Sequence, residues 1–427
     1  MRPDGRGRTG ILPEPSAERG ISPPVDLNGV VSRDRHGGLR ALGAETAQRA
    51  EALVLPRRWD PGVRNEGGTA GNPPLTGTGV FVFERPADGG GFIGDFAVTL
   101  ASIREAQRVL EPVVHRTPME HSKTFSAMSG ASVHLKLENQ QKTGSFKVRG
   151  AYHCIANLHP ARRAAGVIAS SAGNHAQGVA FAAQVFGVPA TVVMPETAPL
   201  SKQRATAGYG AKVVLSGRTY DEAYAQALRM QGEEGLTFVH PFDDLHVIAG
   251  QGTIGVEVVE ALEDLDAVVV PVGGGGLAAG IAVAVKSLSP RTRVIGVQAA
   301  AAPAMALSWR VGRRLVQAAG HTLADGLAVS VPGEITFTYL QHYLDDLVTV
   351  EEEAIAEAIA LLLERAKMLV EGAGAVGLAA VLSQGLATPG SRVAVLVTGG
   401  NIDVGRILPD AVREMLPQAP HSGAKRR

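Results

Sequence analysis

The sequence predicts an α/β fold in which a mostly parallel sheet is covered by helices on both faces. Short apolar, β-branched runs alternate with amphipathic helical stretches from about residue 100 onward. These runs are apolar throughout rather than at every second position, as strands buried on both faces must be. Hydrophobic residues make up 45% of the 427-residue chain, enough for a large core and two domains.

In chain order, residues 1–95 stand apart. They are rich in Gly, Pro and Arg, as in GRGRTGILPEP, and keep neither helical nor strand periodicity. Such a stretch buries too little apolar surface to offset its ordering entropy, so a disordered or mis-started leader is expected, with the folded protein beginning near Leu100. A targeting peptide fits poorly, because no apolar region follows the start and Asp4, Glu14, Glu18 and Asp26 are acidic. Beyond it, VHLKLE reads as a strand and 145–158 as a helix. GVIASSA is a strand, and NHAQGVAFAAQVFG a helix stopped at Gly187 with Pro189 beyond. ATVVMP, AKVVLS, AVVVPV, TRVIGVQA and SRVAVLVTG are further strand-length runs. Helices are expected at 220–234, 246–262, 276–287 and 351–371.

The bulk numbers exclude several classes. Lys+Arg and Asp+Glu both number 41, whereas a nucleic-acid binder would show a basic surplus; a small-molecule protein fits better. Cys154 is the only cysteine, so no internal disulfide can form and a reducing cytoplasm is the expected location. No apolar run reaches the roughly 18 residues needed to span a bilayer, so no membrane association is expected.

In open α/β sheets ligands gather at the carboxyl ends of strands, and four loops there carry unusual chemistry. In KTGSFKVRGA, residues 142–151, Thr143 to Ser145 form a turn and cap, and Lys147 falls in the first turn of a helix. The helix dipole and burial would both lower its pKa and supply the neutral amine that imine chemistry needs; the alternative is a surface lysine. In SSAGNHAQG, residues 170–178, small residues and Gly173 expose backbone amides at a helix start, suited to a carboxylate. Asn174 has the reach to bond a cofactor oxygen; the alternative is a plain helix cap.

In VVPVGGGGLAAG, residues 269–280, four consecutive glycines have little packing value and cost conformational entropy, and a backbone wrapping a phosphate explains them. Gly274, Gly276 and Ala279 also satisfy a loose dinucleotide pattern. That pattern requires an acidic residue at the end of the next strand, where Gln298 stands, and so it is set aside. In VAVLVTGGN, residues 393–401, Thr398 sits at a strand end before two glycines, a hydroxyl able to meet a pyridine nitrogen; such turns are also common without function.

The string KLENQQKTGSFKVRGA, with SSAGNHAQG, VVPVGGGGLAAG and LVTGGN following in order, resembles the serine/threonine dehydratase family over about residues 100–415. That family includes threonine ammonia-lyases and serine racemase. The resemblance implies a fold-type-II pyridoxal-phosphate architecture, similar to the tryptophan synthase β-subunit, with two open, twisted, mostly parallel sheets. It implies a large cofactor-binding domain from 96–165 and 244–416, a small mobile domain at 166–243, and a flexible tail at 417–427. Pyridoxal 5'-phosphate would be the cofactor, Lys147 its Schiff-base lysine and the base for the α-proton, and Phe146 would lie against the pyridine face. Ser171, Ala172, Gly173, Asn174 and His175 would form the loop for the substrate carboxylate, with Asn174 also on the cofactor oxygen. Gly273, Gly274, Gly275 and Gly276 would hold the phosphate, and Thr398 would meet the pyridine nitrogen.

A neutral hydroxyl at that nitrogen makes the ring a weaker electron sink, which disfavours transamination and favours loss of a β-hydroxyl. The reaction implied is conversion of L-threonine to 2-oxobutanoate and ammonia, with L-serine a weaker substrate, by a homodimer or homotetramer. A serine racemase or hydroxyaspartate ammonia-lyase on the same fold, or a cofactor-binding protein without catalysis, are the alternatives.

The chain also departs from the pattern. Serine racemases of this family place a metal-binding glutamate where Gln298 stands, so no metal is expected. Gly372 occupies a position where threonine ammonia-lyases often have proline, and Glu371 before it is left without an assigned role. The chain stops soon after a final expected helix, RILPDAVREML (406–416), so a C-terminal regulatory domain and isoleucine feedback are not expected. Ala172 stands where the racemases carry the serine that serves the second face of the carbanion.

Overall fold

A computed structural model describes residues 98–402 and, before them, the backbone of three short strands. The expected leader, the last predicted helix (406–416) and the tail otherwise lie outside the described residues. Two of the three strands, β1 (Val31–Arg33) and β2 (Leu39–Ala41), pair antiparallel with one another. The third, β3 (Phe81–Val82), pairs antiparallel with Leu315–Val316.

Two separate sheets form the body of the described chain. The larger contains β4 (Met119–His121), β5 (Ser132–Leu137), β10 (Ala267–Pro271), β11 (Arg293–Ala299), β13 (Asp346–Val350) and β14 (Arg392–Val397), counting Leu315–Val316 as β12. Its strand order is β13-β11-β10-β14-β5-β4, parallel throughout except for the edge strand β4. The smaller holds β6 (Val167–Ser170), β7 (Ala190–Met194), β8 (Lys212–Leu215) and β9 (Thr237–Phe238), all parallel in the order β8-β7-β6-β9.

Continuous apolar strands let both faces of the larger sheet serve as core. On β14, Ala394 and Leu396 join one cluster while Val393, Val395 and Val397 join the opposite one; Val268 and Val270 of β10 oppose Ala267 and Val269 in the same way. The first cluster is closed by α1 (Leu100–Leu110), α8 (Leu245–Ala261) and α9 (Gly276–Leu288). The second is closed by α2 (Lys123–Ser129), α12 (Glu352–Ala366) and α13 (Gly372–Ser383). Helices α3 (Lys147–Ala156) and α5 (Asn174–Phe186) pack on one face of the smaller sheet, and α7 (Tyr220–Glu234) on the other. The short helices α4 (Pro160–Ala165), α6 (Leu200–Gly208), α10 (Ala304–Val311) and α11 (Glu334–Tyr343) complete the set. Helix α3 packs on both α5 and α8, so it stands at the seam between the two sheets. Among the described residues no helix is long and apolar enough to cross a membrane.

Three expectations are corrected. The helix expected over 351–371 stops at Ala366, where Lys367 adopts a left-handed φ of 59°, and α13 begins only at Gly372. The glycines of GAGAVG argue against helix locally, yet Gly372 to Val381 are all buried, and tertiary packing overrides that propensity. The helix expected from Ser145 begins at Lys147, because Ser145 pairs with Gly399 in an antiparallel bridge; the N-cap is Phe146, with no side-chain capping bond. Strands β4, β9 and β13 were not anticipated, the first two being only three and two residues long.

Candidate functional site

Lys147 is the first residue of α3, and the bridge between Ser145 and Gly399 fixes where that helix starts. The Phe146 amide donates to Thr398 O at 3.2 Å, joining the lysine loop directly to the end of β14. Lys147 Nζ donates to Pro241 O at 2.7 Å and lies 5.2 Å from the centroid of the Phe146 ring. Burial lowers its pKa to about 8, against the opposing field of Glu371. On the far side Gly178 of α5 admits the Lys147 backbone, where a Cβ would come within 3.1 Å of the Lys147 carbonyl.

A buried ion cluster beneath the lysine anchors α3. The Arg149 guanidinium grips Glu138 through Nε at 2.9 Å and Nη2 at 2.7 Å, and Glu257 through Nη1 at 2.6 Å. Lys136 Nζ bonds the other oxygen of Glu257 at 2.6 Å, and the Thr117 hydroxyl donates to Glu138 at 2.6 Å. Two cations and two carboxylates thus tie α3, β5 and α8 together away from water. Burial alone would push Glu138 up, but Arg149 beside it holds the carboxyl below its usual range.

The loop after β6 leads into α5, whose N-cap, Gly173, provides no side-chain bond, so the first-turn amides are open to a ligand. The Ser171 hydroxyl accepts from the Gly173 amide at 3.1 Å, and Ala172 is partly buried against the small-sheet core. His175 turns inward, its Nε2 2.8 Å from Val239 O, and burial with the nearby Lys147 charge takes its pKa down to about 3. A neutral ring donating to a carbonyl positions the loop, and what His175 offers a ligand is its backbone amide. Asn174 is held at both ends of its amide: Nδ2 donates to Glu371 Oε1 at 2.6 Å, and Oδ1 accepts from Asn401 Nδ2 at 2.7 Å. Asn401 also reaches Thr143 O at 2.8 Å. Glu371 is buried, and burial followed by the charge of Asp325 raises its pKa to about 7.

Gly273 to Gly276 run from β10 into α9, with Gly275 at φ 99° as an N-cap without a side-chain bond. The expectation that these glycines have little packing value is corrected here. A Cβ at Gly274 would run into the Phe242 ring, and one at Gly276 would stand 2.7 Å from Phe242 O, so both admit the segment HPFD (240–243). His240 Nδ1 accepts from the Asp243 amide at 2.7 Å, and Asp243 in turn caps α11 through the amides of Glu334 and Thr336 at 2.9 and 3.0 Å. Thr398 is buried, its hydroxyl 3.3 Å from Ala373 O. At the position expected to lack a metal ligand, Gln298 is buried with its Oε1 accepting from the Ala306 amide at 2.7 Å.

The lysine, carboxylate and threonine loops are therefore hydrogen-bonded to one another, and the glycine loop joins them through 240–243. Sequence reasoning missed Asn401, Arg149 and the 240–243 segment. Asn401 ends a motif already singled out, and HPFDD combines His, Pro and two acids at a strand end, so both carried a signal.

A family model described as pyridoxal-phosphate dependent enzyme matches residues 110–399. The chain is 56% identical over 310 residues to an L-threonine ammonia-lyase of Thermotoga maritima, covering 73% of this chain and 77% of that protein. Among solved structures it is similar to a threonine deaminase from T.th., at 45% identity and a TM-score of 0.68, covering 72% of this chain and 99% of that one. It is also similar to maize serine racemase, at 35% identity and a TM-score of 0.72, covering 75% and 98%.

Proposed function

The chain belongs to the pyridoxal-phosphate dependent enzymes, and from that membership we propose that it is a threonine ammonia-lyase, converting L-threonine to 2-oxobutanoate and ammonia, with L-serine a weaker substrate. The observation that carries the reading is the convergence of the four loops around Lys147, whose amine is held near neutrality by burial. The likeness to the Thermotoga maritima enzyme supports threonine as the substrate.

The residues fit the cofactor. The glycines leave the start of α9 without side chains, and Ser145 Oγ, Thr143 Oγ1 and Ser170 Oγ are buried hydroxyls without a partner, on loops bordering the lysine. Lys147 would carry pyridoxal phosphate, with Phe146 against the ring face, Asn174 at the ring oxygen, Thr398 at the ring nitrogen and the amides of Gly273, Gly274, Gly275 and Gly276 around the phosphate. When bound, this group supplies the electron sink that makes the α-proton of an amino acid removable.

The chain's own residues do the rest. The loop of Ser171, Ala172, Gly173, Asn174 and His175 binds and orients the substrate carboxylate through the uncapped amides at the start of α5, with Ser171 and His175 shaping the loop through their bonds to Gly173 and Val239. Lys147 Nζ takes the α-proton, and a neutral amine is the form able to do so. Thr398 offers a hydroxyl rather than a carboxylate, which keeps the sink weak and favours loss of the β-hydroxyl. Residues 166–243, which include the smaller sheet, would close over the substrate as a small domain. A cytoplasmic homodimer or homotetramer completes the reading, with Cys154, a buried free thiol, supporting the reducing compartment.

The likeness to maize serine racemase keeps racemisation in view, but Ala172 puts a methyl group where a second proton donor would be needed. Keto-acid formation from a panel of hydroxy-amino acids tests the proposal. L-Threonine should be the best substrate, and Lys147→Ala should lose turnover together with the absorbance band of the bound cofactor. An active, yellow Lys147→Ala protein, or a panel without threonine deamination, would overturn it.

A further inference from the structure

Glu371 is built into the wall of the site without belonging to any of the four sequence motifs. Its side chain is buried where the chain passes from α12 to α13, and its amide donates to Gly399 O at 3.1 Å. Its Oε1 accepts from Asn174 Nδ2 at 2.6 Å, while Asn174 Oδ1 is held by Asn401 at 2.7 Å. These two bonds leave Asn174 one orientation, with the amide nitrogen toward the carboxylate.

The charged groups facing Glu371 come from several elements. Lys147 lies at the start of α3, Lys202 on α6 and Asp325 on the 3-10 turn Asp325–Leu327; Lys202 and Asp325 form an ion pair at 3.4 Å. Gly372 permits this arrangement. A Cβ there would strike the Leu323 carbonyl, so the segment leading to Asp325 closes on the site only because the residue after Glu371 is glycine.

We propose that Glu371 is a positioning residue whose carboxylate sets, through Asn174, the hydrogen bonding offered to the cofactor, so that its ionisation is read in the cofactor's surroundings. The inference rests on the reading of Asn174 given above. Burial first, and the charge of Asp325 second, hold the Glu371 carboxyl up at about 7, against the pull of the Asn174 bond, Lys202 and Lys147. Both of its forms are therefore populated near neutrality. The ionised form makes a charge-assisted bond to Asn174; the protonated form makes a weaker one and loosens the amide.

Wild type, Glu371→Gln and Asp325→Asn test this. Glutamine keeps the shape and an acceptor oxygen for Asn174, so a purely structural role would leave Glu371→Gln like wild type. A carboxyl whose folded pKa is raised gives stability that is full below the unfolded value and is lost as pH rises through the folded one. In the full chain without added cofactor, the melting temperature of wild type relative to Glu371→Gln should therefore fall as pH rises from about 4.5 to about 7 and level off above. With pyridoxal phosphate bound, the wild-type absorbance spectrum should titrate around pH 7, the folded value. That titration should vanish in Glu371→Gln and shift to lower pH in Asp325→Asn. The proposal requires both readouts, and equal pH dependence of wild type and Glu371→Gln in either one overturns it. Failure of wild type to bind pyridoxal phosphate or to deaminate threonine would instead strike the functional reading, and the cofactor-free comparison would still decide Glu371.

Discussion

Replacing Arg149 by methionine isolates what the buried ion cluster contributes. The guanidinium is fully buried and provides three of the short bonds, two to Glu138 and one to Glu257. Methionine fills most of the volume but leaves four charges reduced to three. Glu257 keeps Lys136 at 2.6 Å, whereas Glu138 retains only the Thr117 hydroxyl and becomes an uncompensated buried carboxylate. Breaking a buried pair in this way costs about 3–5 kcal/mol. At about 2–4 °C per kcal/mol for a domain of a few hundred residues, the melting temperature should fall by roughly 10 °C. The sign of the pH dependence should invert as well. In wild type Glu138 is held low, so its stabilisation is present above the unfolded value of 4.5 and lost as pH falls through the folded one. In the variant burial outweighs the remaining pull of Lys136 and Thr117 and raises the carboxyl, so the penalty should shrink in acid. Thermal unfolding followed by circular dichroism at several pH values reads both effects. Adding Glu138→Leu to Arg149→Met should recover much of the loss, because an apolar pair replaces an orphaned charge. A fall of less than about 2 °C, within the scatter of a neutral surface change, would refute the argument.

Other outcomes follow from the site. Gly274→Ala places a Cβ against the Phe242 ring, and the resulting displacement of about 1–3 kcal/mol should weaken pyridoxal-phosphate binding by roughly 5- to 150-fold in a fluorescence titration; unchanged affinity would show that the loop accommodates the methyl. Cofactor uptake by the stripped protein should accelerate as pH rises through about 8, since burial brings the Lys147 amine down to that value and only its neutral form attacks a carbonyl. A flat rate across that range would count against Lys147 as the attachment point. Ala172→Ser should raise D-serine formation relative to deamination of L-serine, because a hydroxyl on this loop can protonate the face opposite Lys147; chiral chromatography showing abundant D-serine from wild type would remove the reason for the prediction.

Seven of the strands and six of the helices were legible because their signals are local. A continuous apolar run such as AVVVPV can only be a doubly covered strand or a buried helix, and its six-residue length with Gly beyond decides for the strand. The same locality explains the failures. The apolar pattern runs unbroken from ALLLERAKMLV toward Gly372, and nothing in it announces that Lys367 will turn left-handed. Arg149, Lys136 and Glu138 carry no local mark of burial, since residues of these types are mostly exposed. What buries them is Glu257, more than 100 residues further along the chain.

Candidate site residues were legible to the extent that their chemistry is carried by backbone. Consecutive glycines and small residues before a helix betray an anion loop wherever they fall, since the amides they expose need no distant partner. Glu371, Asn174 and Asn401 behave differently: Asn174 takes its orientation from the other two, across separations of 197 and 227 residues. A carboxylate in LVEGAGA has no local feature that separates it from an ordinary helix-start glutamate, which would favour the ionised form. Its burial, and with it the raised pKa, arises only when Gly372 lets the Leu323 carbonyl approach and Asp325 follows. Glu371, whose charge depends on the closing of the site, is thus a group that local sequence had little means to reveal, because both its partner and its shielding are assembled by the fold.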